Sequence, residues 1–122
     1  MIQVQTRMVV TDNTGAKIAQ VIKIPGAYNP HYAHIGQIVK VAIKDSTPDA
    51  KAKKGTMALA VIVRSVKGVC RENGLKVSFS DNACVLVKAD KTPVGTRVFG
   101  PIAREVKEKG FNKIASLAAE VL

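Results

Sequence analysis

Cationic side chains cluster at both ends of one apolar segment, and they are the residues of this sequence best suited to act on a partner. Residues 51–71 contain six basic residues and no acidic one, and the centre, residues 55–63, is wholly uncharged. Lysine and arginine donate charge-assisted hydrogen bonds to phosphate oxygens, so these residues are suited to bind a polyanion and neutralise its charge. The six are Lys51, Lys53, Lys54, Arg64, Lys67 and Arg71.

The other reactive side chains give little support to metal binding or catalysis. His31, His34, Cys70 and Cys84 are ligand types that zinc prefers, but their wide spacing fits no common zinc motif. The stretch NTGAK, residues 13–17, lacks the second glycine and the hydroxyl of a phosphate loop, and it is interpreted as a turn between strands. No serine or cysteine has a convincing base beside it. The sequence therefore indicates no enzyme, no metal site and no cofactor.

The overall charge points to a polyanionic partner. The 122-residue chain carries 19 Lys and Arg against nine Asp and Glu, for a net charge of +10. The excess positive side chains repel one another unless a bound polyanion neutralises them, and nucleic acid is the first candidate for that partner. The sequence contains no apolar run of about 18 residues, the length needed to span a bilayer. It also contains no long basic amphipathic helix that would favour a membrane surface. The first ten residues lack a signal or transit pattern, so an untargeted or mature intracellular chain is expected.

Aromatic and cysteine content narrow the prediction further. The chain has five aromatic residues and no tryptophan, whereas a single-strand binder needs several aromatic side chains on one face for stacking. Phosphate contacts to folded RNA fit this composition better. The two cysteines are expected to stay reduced and buried as small apolar groups.

Short segments rich in Val and Ile, separated by Gly, Pro, Asn, Asp or Ser, predict a small closed β structure. The segment 57–63 is apolar at both alternating positions, so both of its faces are expected to be covered. The predicted strands are residues 8–10, 16–24, 37–44, 57–63, 66–70, 75–79 and 84–87.

The alternation of side chains predicts which strand faces are basic. Within residues 37–44, valine and isoleucine alternate with Lys40 and Lys44, so both lysines point the same way. In the preceding strand Lys23 is placed on the outer face. The face of that strand expected to be buried consists of Ile18, Gln20, Ile22 and Ile24.

The pair Asn73-Gly74 predicts a tight β-ribbon, because a type I′ turn requires a positive φ at both central positions. With a two-residue loop, Arg71 faces Lys76. Like charges directly opposite each other destabilise an isolated ribbon, so this register suggests an anion bound there. The apolar face of the ribbon is then expected to consist of Cys70, Leu75, Val77 and Phe79.

Two short helices are predicted after Pro101, in IAREVKEK and GFNKIASLA. Gly110 is expected to cap the first helix in a left-handed conformation, and Asn112 to cap the start of the second. Glu105 can pair with Lys109 at helical spacing. With no repeat or linker in sight, a single domain is predicted. It spans 1–122, with a β part over about 1–100 that includes a ribbon over about 64–80, and a helical part over about 101–122.

Motifs along the whole chain carry a family resemblance. They are Ala60-Val61-Ile62-Val63, Asn73-Gly74, Phe79, Asn82 and Val85-Leu86, flanked by VTDNTGAK and YAHIGQIVKVAIK before them and by GTRVFGPIARE and KIASLAAEVL after them. In this order and spacing they resemble the signature of ribosomal protein fourteen of the large subunit, in its bacterial or organellar form.

The resemblance implies a mainly β fold: a small five-stranded β-barrel with a projecting β-ribbon and two short C-terminal helices. It also implies a structural protein without catalysis of its own, bound to large-subunit rRNA in the ribosome. Further implied partners are small-subunit rRNA at an inter-subunit bridge, ribosomal protein nineteen, and the ribosomal silencing factor. Carried over to matching positions, the contacts with the silencing factor fall on Thr96, Arg97 and Lys113.

The residues expected to bind rRNA combine the cationic clusters with the outward lysines of the strands. They are Lys23, Lys40, Lys44, Lys51, Lys53, Lys54, Arg64, Lys67, Arg71 and Lys76. A free-standing nucleic-acid-binding module of the small-barrel class is the alternative, and an enzyme comes a distant third.

Some rRNA contacts are expected to differ from those of bacterial relatives, which tend to carry more arginine. PHYAHIG has no arginine pair, PDAKAKKG contains Asp49 and Ala50, and Cys70 precedes Arg71 in the ribbon. These departures suit a ribosome in a mitochondrion or plastid, or the cytoplasm of a divergent bacterium, and the sequence leaves the choice open.

Overall fold

A closed five-stranded β-barrel is the main structural unit, which confirms the predicted fold. The computed structural model describes residues 2–25, 32–49 and 53–122. In chain order the elements are β1 (Arg7–Val10), β2 (Ala16–Lys23), β3 (Ile38–Ser46), β4 (Met57–Arg64), β5 (Val69–Cys70), β6 (Lys76–Val77), β7 (Ala83–Val87), β8 (Val98–Ile102), α1 (Arg104–Glu108), α2 (Asn112–Leu117) and β9 (Ala118–Val121). Strands β1 to β4 pair antiparallel in sequence, and β7 closes the barrel, antiparallel to β4 and parallel to β1.

The inner face of β3 lies at the centre of the core. Val39, Val41 and Ile43 are completely shielded from solvent, while Lys40 and Lys44 lie on the opposite face, as predicted. Full burial of one such apolar side chain stabilises a fold by about 1.5–3 kcal/mol. The alternation of β3 therefore fixes which side of the strand faces solvent, and with it the orientation of the two lysines.

The predicted orientation of β2 was wrong. Ala19 and Val21 are fully shielded, whereas Ile22, predicted to be buried, is 37% exposed. Register shifts interrupt the pairing with β3 near both ends of β2, and a bulge reverses the alternation of the residues beyond it. Lys23 is therefore exposed although it shares parity with the buried pair, and Ile24, just beyond the strand, is buried.

Strand β4 is covered on both faces over its second half, as its composition predicts. Residues 60–63 are all completely shielded. Helix α1 packs against this strand, and the backbone N–H of Ala103 donates to the carbonyl of Val63 at 3.1 Å. The first half of β4 is open, since Met57 is 64% exposed. The uncharged segment between the two cationic clusters is thus a barrel strand that the C-terminal region covers at one end.

The β-ribbon of β5 and β6 forms, but its register is one residue away from the predicted one. Val69 pairs with Val77, and Cys70 pairs with Lys76. Arg71 therefore does not stand opposite Lys76. The prediction that these two cations repel each other across the ribbon was therefore wrong, and the bound anion inferred from that repulsion loses its basis.

The loop of the ribbon explains the shift, because it contains three residues instead of two. The backbone N–H of Arg71 donates to Leu75 O at 2.8 Å, and that of Gly74 donates to Arg71 O at 3.0 Å. Gly74 has a φ of 84°, whereas Asn73 keeps a negative φ. A type I turn followed by a left-handed glycine has this geometry, and it replaces the predicted type I′ turn.

The shifted register also changes the apolar face of the ribbon. Val69 and Phe79 are partly buried against the barrel core, and Val77 is half-buried. Cys70 is exposed and Leu75 is 61% exposed, so two of the four residues predicted for this face lie outside it.

A second small sheet, made of β8 and β9 in parallel, was not predicted. Gly100 and Pro101 lie inside β8, and both residue types are poor strand formers. The segment 118–121 follows α2 directly, so its alanines read as the end of a helix. The region after residue 100 is consequently a mixture of helix and strand.

The two short helices are confirmed, with differences at their ends. Gly110 follows α1 with a φ of 99°, as predicted. Asn112 is the first helical residue of α2, and the capping position is occupied by Phe111 without a side-chain hydrogen bond. Glu105 pairs with Arg71 at 3.0 Å instead of pairing with Lys109 as predicted.

Candidate nucleic-acid interface

Lysines on β2 and β3 form a surface that we call the outer cationic wall, defined by Lys23, Lys40 and Lys44. Lys23 and Lys40 are partners across the two strands, and Lys44 shares the outer face of β3 with Lys40. Lys23 and Lys44 are exposed and Lys40 is half-buried. Side chains of directly opposite residues start about 5 Å apart, so Lys23 and Lys40 repel each other unless an anion lies over them.

The β3–β4 loop carries a second basic group. Lys53 and Lys54 are both exposed. Their backbone is fixed, since Lys54 N donates to Ser46 Oγ at 2.9 Å and Thr56 Oγ1 donates to Lys53 O at 2.6 Å. Lys51, which was predicted to join them, lies outside the described residues. Lys53 and Lys54 therefore present two adjacent ammonium groups from a hydrogen-bonded backbone.

The ribbon carries the third basic group, Lys67 and Lys76, both exposed. Strand β4, with eight residues, separates this group from the β3–β4 loop by about 26 Å at the usual rise of a strand. Two cation groups at this separation are too far apart to contact the same phosphate. The ribbon and the β3–β4 loop therefore form two separate basic groups at opposite ends of β4.

Arg71, although predicted to bind rRNA, makes an internal ion pair. Its Nε lies 3.0 Å from Glu105 Oε1, and the two side chains are only 18% and 17% exposed. Its Nη2 also donates to the main-chain oxygen of Leu122. One planar guanidinium thus joins the ribbon to α1 and to the residue after β9. We call this contact the ribbon clamp.

Arg64 has a similar internal position at the base of the ribbon. Its Nε lies 3.3 Å from Asp81 Oδ1, and its side chain is 13% exposed. The guanidinium passes over Gly100 in β8, where an added Cβ would lie 2.7 Å from Nη1. Both arginines of the predicted rRNA-binding set therefore hold elements of the protein together.

The residues predicted to bind a partner lie on the surface, as expected. Thr96 and Arg97 are exposed in the loop before β8, which we call the partner loop, and Lys113 is exposed on α2. The Arg97 guanidinium lies 5.4 Å from the centre of the Phe99 ring, within the range of a cation–π interaction. Phe99 itself is 48% exposed, so the stacked pair faces solvent.

Both cysteines are free thiols, as predicted. Cys84 is completely buried, and burial, followed by the nearby charge of Asp12, raises its pKa; a thiol in this state is unreactive at neutral pH. Cys70 is exposed, which corrects the predicted burial. Within the described ranges, no three His, Cys, Asp or Glu residues are grouped so that they could hold a metal ion.

Three residues that organise these surfaces were missed by sequence reasoning. Glu105 was assigned to a different partner, and Phe99 was noted only as an aromatic residue. Asn13 belongs to the NTGAK stretch, which is confirmed as the turn between β1 and β2. Its side chain bonds to Thr96 across 83 positions of sequence, and local patterns carry no information about a contact at that range.

A closed barrel with a cationic wall, a basic loop and a basic ribbon places the protein in the class of small basic β-barrel proteins. The family follows from comparison with known families: the model described as Ribosomal protein L14p/L23e matches residues 1–122, and the chain belongs to this family. It is therefore a structural constituent of the large ribosomal subunit, in a family that is non-enzymatic and typically binds rRNA. None of the helices in the described ranges is long and apolar enough to cross a membrane.

Proposed function

We propose that the outer cationic wall, the β3–β4 loop and the exposed ribbon lysines hold the protein on large-subunit rRNA. The observation that carries the proposal is the pairing of Lys23 with Lys40 across β2 and β3, with Lys44 on the same face as Lys40. Like charges in this arrangement cost stability in the isolated protein, and an rRNA phosphate lying over them removes that cost. Contacts at several phosphates release counterions and supply most of the affinity.

The salt dependence of rRNA binding tests this proposal. The logarithm of the affinity falls linearly with the logarithm of the salt concentration. We expect Lys40→Gln and Lys44→Gln each to make this slope shallower by about 1, because each removes one phosphate contact. The measurement is a filter-binding titration of the purified protein with a large-subunit rRNA fragment at several salt concentrations. Lys88→Gln, at an exposed lysine outside the three basic groups, is the matched control. Equal slopes for all four proteins would contradict the proposal.

A second proposal concerns the partner loop and α2. We infer that Thr96, Arg97 and Lys113 receive the ribosomal silencing factor and act in joining of the subunits, where the protein also contacts small-subunit rRNA at a bridge. The exposed Arg97 offers a planar fork of donors suited to a carboxylate or phosphate. On the same reasoning from the family, the protein lies beside ribosomal protein nineteen in a bacterial or organellar ribosome.

Replacement of Arg97 separates partner binding from rRNA anchoring. We expect Arg97→Ala to leave incorporation into large subunits nearly normal and to weaken binding of the silencing factor by about tenfold or more, as removal of a central arginine does at many interfaces. Sedimentation reports the incorporation, and titration of the isolated protein with the factor reports the affinity. Arg7→Ala, at an exposed arginine of β1, is the control. If Arg97→Ala blocked incorporation and left the affinity unchanged, Arg97 would belong to the rRNA-anchoring set.

A further inference from the structure

The side chain of Asn13 spans the gap between the β1–β2 turn and the partner loop. Its Oδ1 accepts hydrogen bonds from the backbone N–H groups of Thr96 at 2.8 Å and Arg97 at 3.2 Å. Its Nδ2 donates to Thr96 Oγ1 at 2.8 Å. The backbone N–H of Asn13 donates in turn to Arg97 O at 3.2 Å. One residue therefore makes four hydrogen bonds to two consecutive residues of the loop.

The turn that carries Asn13 is itself fixed to the barrel. Thr11 N donates to Cys84 O at 3.0 Å, and Phe99 N donates to Thr11 O at 2.7 Å. The carboxylate of Asp12 accepts from the backbone N–H of Leu86 in β7 at 3.0 Å. Asn13 thus follows two residues that are hydrogen-bonded to β7 and β8, and its own hydrogen bonds join this fixed turn to the loop.

The loop is shaped to admit the Asn13 side chain. Gly95 is buried, and a Cβ added to it would lie 2.6 Å from Asn13 Oδ1. A side chain at this position would displace the amide from its hydrogen bonds. The absence of a side chain at Gly95 is therefore part of the same arrangement, which positions the backbone from which Arg97 reaches over Phe99.

We propose that Asn13 is a positioning residue that holds Thr96 and Arg97 in the conformation in which they bind a partner. The proposal rests on the proposed function of the partner loop, and it adds a residue from a different element of the fold. A loop that is ordered before binding loses less conformational freedom when the partner docks. Asn13 thereby raises the affinity of the loop without itself contacting the partner.

Three variants of Asn13 remove all, some or none of its side-chain hydrogen bonds to the partner loop. Asn13→Ala removes all the side-chain bonds. Asn13→Ser leaves one oxygen to accept an N–H and gives an intermediate result. Asn13→Asp keeps both bonds from the backbone N–H groups, and its second oxygen can accept from the Thr96 hydroxyl, which rotates to donate. Asn73→Ala, at an exposed asparagine in the ribbon loop, is the control.

Amide hydrogen exchange of the full-length protein gives the first readout. We expect exchange at Thr96 and Arg97 to rise at least tenfold in Asn13→Ala, to rise less in Asn13→Ser, and to return close to the original rate in Asn13→Asp. Exchange in β3 should stay unchanged in all of them, which shows that the barrel is folded. Unchanged exchange at Thr96 and Arg97 in Asn13→Ala would overturn the proposal.

Affinity for the silencing factor gives the second readout, measured beside Arg97→Ala. We expect Asn13→Ala to weaken binding by about tenfold and Asn13→Asp to recover it. If Asn13→Ala loosened the loop without lowering the affinity, while Arg97→Ala lowered it, the positioning role would be refuted and the partner loop would stand. If Arg97→Ala also had no effect, the proposed function of the loop would fail and this inference would fail with it.

Discussion

Replacement of Asp12 by alanine is expected to lower the free energy of unfolding by about 3–5 kcal/mol, because it leaves buried donors without an acceptor. Its carboxylate accepts from Leu86 N at 3.0 Å, Thr14 N at 3.3 Å and the Thr14 hydroxyl at 2.6 Å. Asp12, Thr14 and Leu86 are each at most 5% exposed. Water therefore cannot readily replace the lost acceptor, and urea unfolding of the purified protein measures the loss.

The chain contains a matched control for this prediction. Asp90 makes the same local contacts as Asp12, accepting from Thr92 N at 3.2 Å and from its hydroxyl at 2.6 Å, but the side chain is exposed. Asp90→Ala should cost much less, because water satisfies the freed donors. Similar losses in the two variants would mean that the local turn, and not burial, gives Asp12 its importance.

The two aspartates should also differ in their response to pH. Burial raises the pKa of Asp12 above its usual 3.8, against the opposing effect of its hydrogen bonds from Thr14 and Leu86. The hydrogen bond from the Thr92 hydroxyl lowers the pKa of Asp90. For Asp12, the folded state binds the proton more tightly, so its contribution to stability is complete below pH 3.8 and declines as pH rises through the folded-state pKa.

The variant Asp12→Asn isolates this effect, because it removes the titration while nearly preserving the shape of the side chain. We expect the unfolding free energy of the original protein, relative to that of Asp12→Asn, to fall as pH rises from 3.8. Urea unfolding at a series of pH values measures the difference. A difference that grew with pH would show that the hydrogen bonds to the carboxylate outweigh its burial.

Replacement of Arg71 by alanine is expected to destabilise the protein by about 3 kcal/mol, since loss of one partner leaves the other charge buried and uncompensated. The partner is Glu105, whose side chain is 17% exposed, and whose Oε2 is already buried without a hydrogen bond. The ribbon would lose its attachment to α1 and to Leu122. The measurements are urea unfolding and amide exchange at Val69 and Val77.

Arg71→Lys should recover little of the loss. An ammonium group is a point charge and cannot reproduce the planar fork that serves Glu105 and Leu122 together. Lys76→Ala, at an exposed cation in the same ribbon, is the control and should be nearly neutral. If Lys76→Ala cost as much as Arg71→Ala, the ribbon clamp would have no particular role in stability.

Periodicity predicted the strands well where pairing is regular. The ladder between β3 and β4 has no register shift, so alternation correctly divided Val41 from Lys40 and Lys44. In β2 the same reasoning assigned the buried and exposed faces the wrong way round. Bulges interrupt the pairing of this strand with β3, and nothing in the sequence of β2 marks them. The ribbon failed by one residue because Asn-Gly fits a three-residue loop as well as a two-residue one.

The candidate sites likewise differ in whether they depend on local patterns or on contacts between distant residues. The outward lysines follow from alternation within one strand, a property that spans only a few residues. The roles of Arg71 and Asn13 depend on partners 34 and 83 positions away. Sequence patterns correctly predicted that the strand lysines face outward, but they could not distinguish an exposed arginine from one that closes a contact inside the protein.

The parallel pairing of β1 with β7 has a consequence for the order of events during synthesis. It joins segments that are far apart, as the Thr11 hydroxyl and Cys84 O, 73 positions distant, illustrate. β1 is therefore among the first strands made and among the last to be fully paired, and contacts of such separation slow folding. A nascent chain that lacks β7 exposes the unpaired edges of β1 and β4, so aggregation of newly made protein is expected to begin at those two edges.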